Sequence, residues 1–215
     1  FGPENELILM TGALTGTTAP STGRFNWVFK SPLTSIWAQS NSAGFWGVDF
    51  KKTGYDGIIF QGISSKPVYL VITEDKAELK DASHLWGKGV FETTELIQKE
   101  LGDKFNVDCI GIAGENQVRY ASIMNDLHRA AGRCGGGAVM GSKRLKAIAV
   151  FGKKSVKLAN PGSFAEVAKK QFELLDQHMF KVALQTFGTN VVIDLVNVRG
   201  GFPTRNWQTS VFPGI

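Results

Sequence analysis

The sequence predicts an α+β fold, in which two copies of a β-α-β unit build a sheet-rich first domain and the beginning of a helical domain follows. Short apolar runs of strand character alternate with glycine turns over most of the chain. A succession of strand, glycine cluster, short helix and strand occurs twice. After about residue 160 the apolar residues recur with the period of a helix instead.

The first strands are predicted in ELILMTG (6–12) and RFNWVFK (24–30), with a polar loop of turn-forming residues between them. The glycine-rich stretch 41–54 suits a short helix that leads into a strand, GIIFQG (57–62). Apolar and polar residues alternate on both sides of a polar break in KPVYLVITEDKAELKD (66–81), which predicts a hairpin.

One amphipathic helix is predicted over 89–103, where Gly102 is placed to end it. Further strands are predicted over 107–114, 118–126 and 147–152. Asn160 and Pro161 form a good N-cap and first-turn pair for a helix to about His178, and another helix is predicted over 190–198. We therefore expect one domain over 1–158 and the beginning of a second, helical domain over 159–215.

The two copies are most similar in GFWGVDFKKTGYDGIIFQG and GGGAVMGSKRLKAIAVFG. Arg24 and Phe25 before the first stretch are matched with Arg119 and Tyr120 before the second. Free N–H groups at a helix start attract anions, and arginine offers a planar fork to phosphate oxygens. The duplication predicts two bound phosphates, and the alternative is that the glycines only permit close packing.

Composition excludes some classes of protein. The 215 residues are 43% hydrophobic, enough for a full core, and no apolar run approaches the roughly 20 residues of a membrane span. Two cysteines, Cys109 and Cys134, form neither a disulfide framework nor a four-ligand metal site. We expect a cytoplasmic protein, and the start at Phe1 without methionine suggests a segment of a longer polypeptide incomplete at its N-terminus.

The net charge of +5 permits an anionic cofactor, nucleic acid or an acidic partner. A Walker loop is excluded because Ser142 precedes Lys143 in GAVMGSKR, the reverse of the required order. The Rossmann pattern is nearly met by GRCGGG, but the acidic residue about 20 positions later is missing.

With these residues assembled, the chain resembles the tungsten-containing aldehyde ferredoxin oxidoreductase family. The similarity extends over nearly the whole chain and is carried by GALTGTTAPSTGRFNWVFKSPLT, NSAGFWGVDFKKTGYDGIIFQG, GIAGENQVRYASIMNDLHRAAGR and GAVMGSKRLKAIAV. The resemblance implies that the first domain is a base that carries two pterin dithiolene cofactors around one tungsten ion. Each pterin ends in a phosphate, so two dianions must be held close together.

The resemblance also implies the residues of the site. Backbone carbonyls at Asn41 and Ala130 match the positions that hold a magnesium ion between the two phosphates, which suits a hard cation that prefers oxygen ligands. Further positions match cofactor contacts: Arg24, Ala43, Arg129, Gly132 and Arg133. Cys134 and Ala43 depart from the family pattern, which more often has glycine at both positions.

The implied reaction is oxidation of an aldehyde to a carboxylic acid, with electrons passed through a [4Fe-4S] cluster to ferredoxin or another electron-transfer subunit. Cluster ligands and catalytic residues are expected outside this segment, so no catalytic residue is named. We expect no nucleic-acid or membrane partner, and both homo- and hetero-oligomers remain open, as does the choice between tungsten and molybdenum. Two alternatives are a reductase for aromatic acyl thioesters in the same family and a non-catalytic module that binds anions or RNA.

Overall fold

A computed structural model of the chain describes residues 1–214. The chain divides into two compact units, Phe1–Ala159 and the residues from Asn160 onward. Two sheets and their helices make up the first unit, and the second is mainly helical. The predicted α+β class is therefore confirmed.

Four antiparallel strands form the first sheet, in the order β3-β2-β1-β4. One helix, α1, connects β3 to β4. The bounds are β1 (Leu7–Thr11), β2 (Phe25–Lys30), β3 (Trp37–Ser42), α1 (Trp46–Lys52) and β4 (Gly57–Phe60).

The second sheet has six strands in the order β6-β5-β10-β7-β8-β9, and only the β5–β10 pair is parallel. Its elements are β5 (Val68–Ile72), β6 (Ala77–Asp81), α2 (Val90–Leu101), β7 (Asn106–Cys109), α3 (Ile112–Glu115), β8 (Ile123–Asn125), β9 (Arg129–Ala131), α4 (Gly136–Ser142) and β10 (Leu145–Val150).

The predicted duplication is present in the topology. β1, β2, β3, α1 and β4 follow one another and pair in the order β3-β2-β1-β4, and β7, β8, β9, α4 and β10 pair in the same way, β9-β8-β7-β10. Each copy contains the expected β-α-β unit, but the strands on either side of the helix lie at opposite ends of the four. The edge strands β3 and β9 are therefore equivalent, and they lie next to each other where the two sheets meet.

The residue match predicted between the copies is wrong at Arg119 and Tyr120. Phe25 begins β2 and is fully buried, whereas Tyr120 lies in a turn and is 76% exposed. Ile123 begins β8, the equivalent of β2, and is buried as Phe25 is. The connection from β7 to β8 (110–122) is as long as that from β1 to β2 (12–24), but it contains α3, and Arg119 and Tyr120 still lie within it.

Other departures concern the lengths of two strands of the second copy and the two edge strands. The strand predicted over 107–114 ends at Cys109, and α3 follows; the strand predicted over 118–126 is only Ile123–Asn125. β3 and β9 were not predicted, because the inward side chains of β3 are small and partly polar (Ala38, Ser40 and Ser42) and β9 has only three residues.

The main core lies between the sheets and includes side chains from both sheets and from α1 and α4. Among the largest are Phe25, Trp27, Trp46 and Phe50, all fully buried. Burial of one phenylalanine ring contributes about 1.5–3 kcal/mol. Trp46 Nε1 also donates to the carbonyl of Ile148 at 3.1 Å, so the indole joins α1 to the second sheet.

In the second unit, α5 (Pro161–Asp176) begins as predicted, with Asn160 Oδ1 accepting a hydrogen bond from the Ser163 amide at 3.1 Å. The following elements are α6 (Met179–Phe187), a 3₁₀ helix (Gly188–Val192) and α7 (Ile193–Val198). By length and composition alone, the helical stretch Met179–Val198, with a mean hydropathy of 1.2, is long and apolar enough to cross a membrane. Polar residues such as Lys181, Asn190 and Asp194 interrupt this stretch, so it contains no uninterrupted apolar run of that length.

A buried ion pair ties α3 to β10. Lys146 Nζ contacts Glu115 Oε1 and donates to the carbonyl of Lys88 at 2.8 Å, and both charged side chains are almost completely removed from solvent. Glu115 Oε2 also accepts from the Gly87 amide at 2.7 Å. The pair therefore has further partners for its remaining polar atoms, as a buried pair requires.

We predict that Lys146→Met lowers the free energy of unfolding by about 3–5 kcal/mol, because it leaves the Glu115 carboxylate buried without its cation. Denaturant unfolding of the intact protein measures the effect. The double variant Lys146→Met/Glu115→Leu removes both charges and is expected to recover most of the loss. A double variant no more stable than Lys146→Met would contradict this account.

Candidate functional site

The residues predicted for the site lie along the line where the two sheets meet. Arg24 immediately precedes β2, Asn41 is on β3 and Ala43 follows it; Arg129 and Ala130 are on β9, and Gly132 and Arg133 follow that strand. All seven are exposed or half-buried. The fold thus places residues from distant parts of the chain on one stretch of surface.

Hydrogen bonds join β3 and the loop after it to β8 and to the loop after β9. The amide of Arg133 donates to Ser40 Oγ at 3.2 Å, and Ser42 Oγ donates to Asn125 Oδ1 at 2.5 Å. Asn125 Nδ2 donates to the carbonyl of Ala43 at 2.7 Å. Ser40 and Ser42 point inward on β3, so Asn41 between them points to the opposite, exposed side.

Asn41 and Ala130 occupy equivalent positions in the two copies. Asn41 pairs with Asn26, the second residue of β2, and Ala130 pairs with Met124, the second residue of β8. Both belong to edge strands, which have neighbouring strands on one side only and leave backbone groups for other partners. The predicted pair of carbonyl ligands is therefore symmetric in the fold.

The arginines of the site are free of acidic partners. The Arg24 guanidinium donates to Asn41 Oδ1, and no carboxylate in residues 1–214 forms an ion pair with Arg24, Arg129 or Arg133. The Arg129 side chain passes Gly44, where a Cβ atom would lie 3.2 Å from Arg129 Cγ. Unpaired guanidinium groups on an exposed edge fit an anionic ligand such as two phosphates.

The predicted role of the second glycine cluster is wrong. Gly135, Gly136 and Gly137 are buried, and a Cβ atom at Gly137 would lie 2.4 Å from the carbonyl oxygen of Ser122. A Cβ atom at Gly136 would meet the Phe29 ring at 2.9 Å. These glycines permit close packing, which was the alternative.

The helix starts are not open anion sites either. Asp126 Oδ2 accepts from the amides of Phe45 and Trp46, at 2.6 and 3.4 Å, and so occupies the start of α1. The start of α4 is enclosed, and the amide of Gly137 donates to the carbonyl of Ala121 at 2.9 Å. Any anion in this region must bind to side chains and loops beside the helices.

Cys134 has a positive φ of 69°, a conformation that glycine adopts at a lower energetic cost than other residues. This backbone explains why a glycine suits the position. Cys109 is buried, as predicted, and burial raises the pKa of its thiol to about 12, which disfavours the thiolate nucleophile. His128 lies against Phe91, with ring centroids 5.8 Å apart. Residues 1–214 contain no group of three or more His, Cys, Asp or Glu side chains placed to hold a metal ion.

A buried carboxyl group that sequence reasoning missed lies beneath the site. Asp108 on β7 pairs with Asn125 in the sheet, and Trp27 Nε1 donates to its Oδ2 at 3.2 Å. Its other oxygen, Oδ1, has no partner among the described residues. Burial raises the pKa of Asp108 well above its usual value, and the nearby charge of Asp126 adds to the effect. A charged residue within the apolar run VDCIGIA was the available signal.

The family model for the aldehyde ferredoxin oxidoreductase N-terminal domain matches residues 1–152. The chain belongs to the aldehyde ferredoxin oxidoreductase family. The tungsten-containing aldehyde ferredoxin oxidoreductase of Thermococcus kodakarensis is 50% identical over 99% of this chain. The chain spans only 35% of the length of that relative.

Other members of this broad group differ in their named substrates. The WOR-like subunit of an aliphatic sulfonate oxidoreductase from Pyrococcus furiosus is 34% identical over 97% of this chain and 35% of its own length. In the solved active-site complex BamBC of benzoyl coenzyme A reductase with 1,5-dienoyl-CoA, a chain is similar with a TM-score of 0.79 and 45% identity. The match covers 81% of this chain and 27% of that one. Membership in the aldehyde ferredoxin oxidoreductase family is thus clear, while the substrate is not fixed by similarity.

We predict that Asp108→Asn changes stability in a pH-dependent way. The pKa of Asp108 is higher in the folded protein than in the unfolded chain. Asp108 therefore stabilises the fold fully below its unfolded pKa, about 3.9, and this stabilisation is lost as the pH rises through its folded pKa. The asparagine variant cannot ionise and still accepts from Trp27. Its melting temperature relative to the unchanged protein is therefore expected to be higher at pH 7 than at pH 4. A difference independent of pH would contradict the raised pKa.

Proposed function

We propose that this chain is the cofactor-binding part of a tungsten-dependent oxidoreductase that oxidises aldehydes to carboxylic acids. The observation that carries the proposal is the meeting of β3 and β9, beside which Arg24, Arg129 and Arg133 lie without an acidic partner among residues 1–214. Family membership and the 50% identical tungsten enzyme supply the chemistry that such an anionic ligand would have.

In this proposal the site holds two pterins through their phosphates. The Arg24, Arg129 and Arg133 side chains bind the phosphate oxygens, and the loops at Ala43 and Gly132 contact the cofactor. The backbone carbonyls of Asn41 and Ala130 would bind a magnesium ion, which would offset the repulsion between the two dianions. Gly132 suits this role because it is exposed, and the nearest atom to its Cβ position is 3.7 Å away.

The bound tungsten cofactor supplies the two-electron chemistry that converts an aldehyde and water to a carboxylic acid, two protons and two electrons. The protein residues described here bind and orient that cofactor. Electrons would pass to ferredoxin or another electron-transfer subunit through a [4Fe-4S] cluster held by other parts of the protein. Cys109 and Cys134 are free thiols, in keeping with a cytoplasmic location.

Reduction of an aromatic acyl thioester is the second candidate, and the similarity to the benzoyl coenzyme A reductase complex favours it. Anaerobic purification of the full-length protein, metal analysis and assays with an aldehyde and an aromatic acyl thioester separate the two. Tungsten with aldehyde activity is the expected result. A folded protein without tungsten or molybdenum would contradict both candidates.

We predict that Arg129→Ala and Arg24→Ala each lower the tungsten and pterin content of the intact protein together. Each variant removes a charge-assisted contact worth about 1.5–3 kcal/mol. Metal analysis and pterin fluorescence after denaturation measure the two contents. Arg144→Ala is the matched control, because Arg144 is exposed and its guanidinium donates to the carbonyl of Ser65 rather than lying at the site. Unchanged cofactor content in both site variants would overturn the assignment.

A further inference from the structure

A tight turn between β8 and β9 has an unfavourable backbone. Asp126 and Leu127 both have positive φ, 47° and 59°, and only residues 126–128 separate Asn125 from its partner Arg129. Aspartate tolerates this region, but a leucine there is uncommon and costs free energy. Such a conformation persists where surrounding contacts enforce it, often at functional sites.

The contacts that enforce it cross from the second copy to the first. Asp126 Oδ2 accepts from the amides of Phe45 and Trp46, and Asn125 Nδ2 donates to Asp126 Oδ2 at 3.0 Å. Asn125 is fully buried and also bonds to Ser42 Oγ and the Ala43 carbonyl. The Asn125–Asp126 turn therefore holds the loop after β3 through both side-chain and backbone groups.

The two copies have different residues at this position. The residues of β2 equivalent to Asn125 and Asp126 are Trp27 and Val28, since Phe25 and Ile123 begin the matched strands. Val28 has no polar group to hold the opposite loop. In the first copy the turn after β2 bonds to the facing loop differently, since Ser31 Oγ donates to the carbonyl of Cys134 at 3.0 Å. The link through a carboxylate is therefore a feature of the second copy.

Gly44 leaves the space that the link needs. A Cβ atom at Gly44 would lie 1.9 Å from Asp126 Oδ2, and its φ of 102° is one that residues with a side chain rarely adopt. The Asp126 carboxylate can therefore lie against Gly44, which has no side chain, and accept from the amides of Phe45 and Trp46.

The link sits directly beside both proposed magnesium ligands. Asn41 immediately precedes Ser42, and Ala130 pairs with Met124, the neighbour of Asn125. We propose that the Asn125–Asp126 turn is a positioning device that fixes the separation of the Asn41 and Ala130 carbonyls, the two groups that would hold the magnesium ion. This inference rests on the proposed function. Asp126 and Asn125 act through the loop and not as ligands.

The test uses the intact protein purified with its cofactor. Asp126→Ala removes the acceptor for Phe45 and Trp46, and we expect the affinity for magnesium to fall about 10- to 100-fold, the range typical when an outer partner of a metal ligand is lost. A chelator should then remove magnesium faster than from the unchanged protein. Asp126→Asn keeps a side-chain acceptor and suits a positive φ, so it is expected to restore near-normal retention. Melting temperatures are measured in parallel.

Asp81→Ala is the matched control, since Asp81 Oδ1 also accepts a backbone hydrogen bond, from Ser83 at 2.8 Å, but lies on β6 at the far edge of the second sheet. Equal loss of magnesium from Asp126→Ala and Asp81→Ala at similar melting temperatures would overturn the inference and leave the proposed function intact. If the protein without substitutions contains neither tungsten nor magnesium, both the inference and the proposed function are overturned.

If Asp126→Ala does not fold, Ser42→Ala decides the question, because it removes a single hydrogen bond of the same link. We expect a smaller acceleration of magnesium loss from Ser42→Ala. Retention equal to that of the unchanged protein would contradict the positioning role.

Discussion

The contact between β3 and β9 is the constraint on which the site depends. Both are edge strands, and an edge strand exposes backbone N–H and C=O groups that need partners. In this protein the inward serines of β3 bond to the second copy, at the Arg133 amide and the Asn125 side chain. The two sheets are thereby joined along a line of polar contacts, and equivalent residues of the two copies come to the same surface.

Charge is distributed unevenly around this line. Asp126 is turned inward onto the amides of Phe45 and Trp46, while Arg24, Arg129 and Arg133 have no acidic partner among residues 1–214. Beneath them, Asp108 is fully buried, and its raised pKa favours the neutral acid. The result is a surface with a net attraction for anions, supported by a buried polar layer that holds the loops in place.

The duplication shows how a sequence repeat can mislead in its details. Matching Arg24 and Phe25 with Arg119 and Tyr120 rests on residue type, but burial and register match Phe25 with Ile123. The glycine cluster at the start of α4 resembles an anion-binding loop in sequence, yet the space where its Cβ atoms would lie is filled by the Ser122 carbonyl and the Phe29 ring. In both cases neighbours distant in the chain decide the role, and the local pattern contains no information about them.

The sequence by itself determined the α+β class, the doubled unit, the hairpin at 66–81, the N-cap at Asn160 and the family, because apolar periodicity, turn residues and long motifs are local properties. The predicted site residues were read from motifs and remain predictions. Only the tertiary structure decided that β3 and β9 meet, that Asp126 accepts hydrogen bonds at the start of α1, and that Asp108 is buried under the site. These depend on contacts between residues about 80 positions apart, such as Asp126 with Phe45 and Trp27 with Asp108, which no local pattern specifies.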